Sequence, residues 1–213
     1  MVREDDGSVA RHYRRMPAVG SGQKVGLFGG SFNPPHLGHL HVTEQALRRL
    51  ELDWIWWLVT PGNPLKDHSQ LAPLADRIAA CEALAAHPRI VVTAFEIDLP
   101  TSFTADTLAL TRTRNPDARF VWVMGADNLA QFHRWERWEQ IAQTMPIAVV
   151  DRPGSTLALH TAQAARVLSR YRVDEADAAG LAFQRPPAWT FLHGPRNHLS
   201  STALRAKAAK ASL

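Results

Sequence analysis

The sequence predicts a single-domain α/β fold built on a doubly wound parallel sheet. Three observations carry this. Apolar runs of strand length alternate with stretches of helical periodicity, which is the rhythm of βαβ units. Several runs are apolar at nearly every position, as in Trp54-Ile55-Trp56-Trp57-Leu58-Val59, and that pattern suits strands covered on both faces. At 213 residues with 46% hydrophobic and 21% charged content, the chain can bury one sizeable core.

Residues 1–23 show no periodicity and read as a loose extension, with the folded domain running from 24 to 213. The cluster Arg11-His12-Tyr13-Arg14-Arg15 is the kind that touches nucleic acid, but a solvated tail is the simpler reading, and no nucleic-acid partner is expected. Candidate strands follow at Val25–Phe28, Trp54–Thr60, Ile90–Phe95, Arg119–Met124, Ile147–Val150 and Trp189–His193. Helical patterns lie between them, over Leu37–Leu50, Thr104–Thr113, Asn128–Gln143, Leu157–Tyr171 and Ser201–Lys210. A further stripe, Leu74, Ile78, Cys81 and Leu84, places the single cysteine in the core. One cysteine excludes an internal disulfide framework and fits a reducing, cytoplasmic compartment. No stretch approaches the ~20 apolar residues of a membrane span, so no membrane partner is expected. The N-terminus lacks a signal-peptide apolar region.

The formal charge of +4 is modest but unevenly placed. From Ala178 onward there is no Asp or Glu, while Arg185, Arg196, Arg205, Lys207 and Lys210 are all cationic. A basic end suits anionic ligands, though a solvated tail has the same composition.

In doubly wound folds, ligands sit past the carboxyl ends of the strands. That is where Gly29-Gly30-Ser31-Phe32-Asn33-Pro34-Pro35-His36-Leu37-Gly38-His39-Leu40 lies. Glycine permits positive φ and, lacking Cβ, lets a ligand approach the backbone at Gly29 and Gly30. Pro34 and Pro35 hold the crossing extended before a helix that starts near His36 or Leu37. The free amides and positive dipole end of that helix favour an anion. His36 and His39 share one face of its first turn. Two imidazoles so placed suit either a metal or phosphate oxygens. The metal reading lacks further ligands, because His41 points about 200° around the helix from His39.

Near the other end, Ser200, Ser201 and Thr202 open a helix, where hydroxyls and free amides bind oxygens or simply cap. Arg205, one turn later, supplies a planar fork suited to phosphate. Lys66 stands on a Pro-rich loop after a strand, placed either for a phosphate or for water. Thr104 reads as an N-cap whose neighbouring amides suit a carboxylate. Asp127 follows a strand that ends in Gly125, where a carboxylate can accept ribose hydroxyls. Trp135 and Trp138 lie three apart on an expected helix and suit ring stacking or core packing.

Gly30 to His39 matches the G-x-F-x-P-x-H-x-G-H signature at every fixed position, and the chain resembles the nucleotidyltransferase superfamily with its Rossmann-like fold. Leu199-Ser200-Ser201-Thr202-Ala203-Leu204-Arg205 is similar to the I-S-S-T-x-x-R element of that superfamily, with Leu for Ile. Four further segments resemble the nicotinate-nucleotide adenylyltransferase family: Pro61–Lys66, Thr101–Leu108, Met124-Gly125-Ala126-Asp127-Asn128 through Trp138, and Asp151-Arg152-Pro153-Gly154. Phe103 stands where bacterial members often have Tyr.

The resemblance implies transfer of AMP from ATP to nicotinate mononucleotide, giving deamido-NAD and pyrophosphate. It implies a catalytic set of His39, His36 and Arg205. Gly29, Gly30, Ser31, Phe32, Gly125, Asp127, Arg152, Ser200, Ser201 and Thr202 would bind ATP. Lys66, Thr104 and Trp135 would bind nicotinate mononucleotide. Mg²⁺ is expected through the ATP phosphates. Pantetheine-phosphate adenylyltransferase, and a non-catalytic nucleotide-binding regulator on the same fold, are the alternatives.

Overall fold

The computed structural model describes residues 9–62, 71–99, 103–151 and 161–194. Six strands form one sheet: β1 (Lys24–Gly30), β2 (Trp54–Val59), β3 (Ile90–Thr93), β4 (Arg119–Gly125), β5 (Ile147–Val150) and β6 (Trp189–Leu192). Their order is β3-β2-β1-β4-β5-β6, and every pairing is parallel. The doubly wound reading is therefore realised, with the strand order reversing between β1 and β4.

The helices are α1 (Leu37–Arg49), α2 (Leu74–Leu84), α3 (Thr104–Arg114), α4 (Ala126–Gln131), α5 (Trp138–Thr144) and α6 (Gln163–Val167). Alternation along the strands builds two cores, one on each face of the sheet. Phe28, Trp57, Val121, Val123 and Val150 meet residues of α1 and α2 on one face. Leu27, Trp56, Phe120, Trp122, Met124 and Val149 meet residues of α3 to α6 on the other. The neighbours Trp56 and Trp57 thus enter opposite cores, both fully buried, which is why β2 shows no polar alternation. Cys81 lies on the core face of α2 as its stripe predicts. Burial pushes its thiol up to about 12.

Two expectations need correction. The helix expected over Asn128–Gln143 is broken into α4, a 3₁₀ turn at Phe132–Arg134, and α5. Arg137, at φ 53°, interrupts it just before α5. Phe132, Trp135 and Trp138 recur every third residue, a spacing that fits a 3₁₀ turn as well as an α-helical stripe. The second correction concerns the expected loose extension, which from residue 9 onward packs on the domain. Val9 is 6% exposed and belongs to the α1-side core. Ala94 N–H donates to Tyr13 O at 2.8 Å, and the Thr93 hydroxyl donates to Tyr13 O at 3.1 Å. Arg14 pairs with Asp98, and Gly22 N–H donates to Asp117 O at 2.8 Å. The segment is thus tied to the carboxyl end of the edge strand β3 and to the turn before β4. At the opposite edge, Val173 N–H donates to Trp189 O of β6 at 2.7 Å.

Candidate active site

The strand order reverses at the carboxyl ends of β1 and β4, and the Gly29–His39 segment begins there. Neither Gly29 nor Gly30 uses the left-handed region; that conformation falls on Phe32, at φ 45°. The need for glycine is steric. A Cβ on Gly29 would lie 2.5 Å from Cη2 of Trp122, so the missing side chain makes room for an indole from β4 and not for a ligand. A Cβ on Gly30 would lie 3.3 Å from Cε2 of Phe32. Phe32 is buried, with its ring stacked on Trp57 at 5.0 Å between centroids. A nucleotide can therefore meet Phe32 only through its main chain.

α1 starts where the motif places it, with His36 as N-cap. His36 Nδ1 accepts the Gly38 N–H at 3.0 Å. His39 Nδ1 accepts the His36 N–H at 3.1 Å. A nitrogen that accepts an N–H carries no proton, so each neutral ring holds its proton on Nε2. The two histidines are thus fixed as Nε2–H donors. Their centroids are 3.9 Å apart, they are 4% and 8% exposed, and the Phe32 ring supports His39 at 4.8 Å. The first turn of α1 contains no acidic residue. Where a carboxylate would normally offset the positive end of the dipole, two imidazole donors stand instead, and the end remains receptive to an anion.

The other two helix starts near the switch point differ. α4 begins after Gly125 and carries Asp127 in its first turn. That carboxylate is exposed and offsets the local dipole, which suits hydroxyl donors better than phosphate. At α3 the N-cap is Phe103, and Thr104 is the first helical residue with no capping bond from its side chain. This corrects the expected Thr104 cap. The Asp106 and Thr107 amides both turn back to Phe103 O, at 3.0 and 3.2 Å, leaving Thr104 and Ala105 to supply the outward donors of that end.

Arg137 locks this end in place. It reaches Asp106 through two bonds of 2.8 and 2.6 Å and lies over the Phe103 ring at 5.7 Å. Trp135 lies on the link between the 3₁₀ turn and α5, in extended backbone. It is partly buried, and its ring meets Trp122 and Phe132 edge-to-face at 6.3 and 5.5 Å. Trp138 packs edge-to-face on Phe132 at 5.7 Å. Among the described residues, then, the structure gathers Gly29 to Phe32, His36, His39, Gly125, Asp127, Thr104 and Trp135 on elements that meet along the carboxyl edge of the sheet. Lys66, Arg152, Ser200, Ser201, Thr202 and Arg205 lie outside the described residues.

A family model described as Cytidylyltransferase-like matches residues 27–207. A Rhizobium meliloti (strain 1021) protein called "Probable nicotinate-nucleotide adenylyltransferase" is 67% identical over 181 residues, covering 85% of this chain and 96% of that protein. The chain belongs to the nicotinate-nucleotide adenylyltransferase family. A Brucella abortus (strain 2308) relative with the same description is 62% identical over 181 residues, covering 85% of this chain and 93% of its own. In fold, the chain is similar to a Plasmodium falciparum nicotinic acid mononucleotide adenylyltransferase complexed with NaAD. The TM-score is 0.65 at 16% identity, with 86% of this chain and 83% of that one covered.

Three residues near this family site were not legible in its motifs. Arg137 sits between two tryptophans and reads as a surface cation, because its partner Asp106 is 31 positions away. Trp122 reads as one more apolar strand residue. Glu96 shares a short turn after a strand with Asp98 and reads as a second surface acid; its carboxyl is buried and accepts the Thr107 hydroxyl at 2.6 Å, tying the turn after β3 to α3. Burial pushes its pKa up to about 7, with the Thr107 bond pulling the other way.

Proposed function

We infer that this protein transfers AMP from ATP to the 5′-phosphate of nicotinate mononucleotide, giving deamido-NAD and pyrophosphate. An oxygen of the acceptor phosphate bonds to the α-phosphorus as the bond from that phosphorus to the β-phosphate oxygen breaks. The nucleophile is already an oxyanion, so no base is required. Catalysis is alignment and stabilisation of charge. The observation that carries this reading is the pair of backbone-locked histidines at the start of α1, whose first turn holds no acidic residue, in a chain 67% identical to a relative of that description.

In this reading the His39 Nε2–H stabilises the α-phosphoryl transition state. His36, Arg205 and the Ser200–Thr202 turn hold the β,γ-phosphates, with Arg152 adding positive charge, and Lys66 meets the phosphate of nicotinate mononucleotide. Ser31 and Phe32 contribute main-chain groups, and Asp127 accepts ribose hydroxyls. Trp135 stacks on the pyridine ring, and the Thr104 and Ala105 amides receive its carboxylate. Among the described residues no group of three or more His, Cys, Asp or Glu is placed to hold a metal ion. Mg²⁺ is proposed to come with the ATP phosphates, where it would neutralise phosphate charge. No helix among the described residues is long and apolar enough to cross a membrane. A cytoplasmic location is proposed because a single cysteine fits a reducing compartment.

The test is pyrophosphate release from ATP and Mg²⁺ with nicotinate mononucleotide, nicotinamide mononucleotide, phosphopantetheine or no acceptor. A site made of amide donors favours a carboxylate over a carboxamide, whose NH₂ would lack an acceptor. kcat/KM should be at least about tenfold higher for the nicotinate form. Turnover of phosphopantetheine would move the chain to the alternative enzyme. ATP binding without turnover of any acceptor would make it a regulator.

A further inference from the structure

Arg77 stands on α2, outside every motif, and is 2% exposed. Its guanidinium donates to main-chain carbonyls on three segments. Nε reaches Ala72 O at 2.8 Å. Nη1 reaches Ser31 O and Thr60 O, each at 2.8 Å, and Nη2 reaches Pro61 O at 3.3 Å. Ser31 directly follows the two glycines at the end of β1. Thr60 and Pro61 follow β2. Ala72 precedes α2, and its own N–H donates to Asn33 Oδ1 at 3.2 Å. One cation therefore gathers the chain leaving β1, the chain leaving β2 and the approach to α2.

The bond to Ser31 has a geometric consequence. A peptide unit is planar and trans, so its C=O and N–H point opposite ways. With Ser31 O turned inward onto Arg77, the Phe32 N–H is turned outward. Phe32 then has φ 45°, a conformation unfavourable for a bulky residue that persists only where its surroundings over-determine it. Two constraints do so here: Arg77 holds the carbonyl before Phe32, and the stack on Trp57 holds the ring. The same Phe32 ring supports His39.

We propose that Arg77 is a positioning residue for adenylyl transfer: by holding Ser31 O it sets the Phe32 amide and the His39 ring that meet the ATP phosphates. This rests on the function proposed above. Lysine cannot substitute, because one ammonium group cannot reach three segments in the directions that a planar five-donor fork can. Apolar packing would hold α2 but would leave the Ser31 carbonyl without its donor.

The test compares wild type with Arg77→Lys and Arg77→Ala. Its readouts are Tm, binding of a non-hydrolysable ATP analogue, kcat, and KM for both substrates. Absence of deamido-NAD formation by the wild type would sink the proposed function, and the binding arm would still report on Arg77. Arg77→Lys should melt as a folded protein and bind the ATP analogue more weakly. Its kcat should fall about 10²-fold, the scale of a misplaced reacting group. KM for nicotinate mononucleotide should change less than analogue affinity, because Arg77 bonds directly to Ser31 but bears on the acceptor only through the main chain at Thr60 and Pro61 that leads to Lys66. Millimolar guanidinium should restore at least about a tenth of kcat to Arg77→Ala, while methylammonium should not. The proposal is overturned if Arg77→Lys keeps wild-type kcat and analogue affinity, if guanidinium fails to rescue a folded Arg77→Ala, or if neither variant folds, which would make Arg77 a core strut only. Should only Arg77→Lys fold, its kcat decides.

Discussion

Replacing Glu96 with Gln changes the pH dependence of stability in a direction and by an amount that the structure specifies. The carboxyl is buried beneath α3, and burial lifts its pKa from 4.5 to about 7, while the bond from Thr107 opposes the shift. The folded state thus holds the proton more tightly than the unfolded chain. Folding stability from this group is fully present below about pH 4.5, declines as pH rises, and is lost by the time pH has passed through about 7. At roughly 1.4 kcal/mol per unit, the loss across that window is about 3 kcal/mol. Glu96→Gln keeps an acceptor for Thr107 and cannot ionise, so it removes this slope. The fit of the new amide adds a constant offset at every pH, and only the change in the difference matters. Urea unfolding of both proteins from pH 4.5 to 8 should show the variant gaining about 3 kcal/mol on the wild type. In a chain of this size that is a relative Tm gain of roughly 6–12 °C. Parallel curves would mean that Glu96 titrates normally and that its carboxyl is reached by water.

Three further outcomes follow from named contacts. Gly29→Ala should cost about 1–3 kcal/mol, because the new methyl meets the Trp122 ring in a packed core. Displacing that ring from Trp135 should also raise KM for the acceptor, and unchanged unfolding and tryptophan fluorescence would refute the contact. Deleting residues 1–20 removes the burial of Val9 and the bond from the Ala94 amide to Tyr13, and should lower Tm by about 5 °C or more in a thermal melt; an unaltered Tm would return the segment to a loose extension. His39→Ala should lower kcat by roughly 10²–10³-fold with less effect on ATP binding, whereas a rise in KM for ATP at constant kcat would make His39 a ground-state binder.

Features that depend on short range were legible in one dimension. Strand length, helical stripes and unbroken apolar runs report which faces are covered, so the parallel sheet and its two cores were legible from Val25 to Leu192. The His36–His39 spacing placed two imidazoles on one helix start, because that geometry involves a single turn. Tertiary structure decided whatever depends on residues far apart in the chain. In the β1–α1 turn positive φ fell on Phe32 and not on Gly29 or Gly30, since Arg77 from α2 and Trp57 from β2 hold Phe32 on both sides. Gly29 is glycine because β4, its neighbour across the switch point, brings the Trp122 ring over it. Arg77, Glu96 and Arg137 look like solvated charges in one dimension, and only the packing of α2 and α3 against the strand ends gives them their partners. Residues 9–23 lack periodicity because they form no regular element: they touch the domain at scattered points, at Val9, at Tyr13 beside Ala94, at Met16 beside Asn115 and at Gly22 beside Asp117, and such contacts leave no repeating pattern.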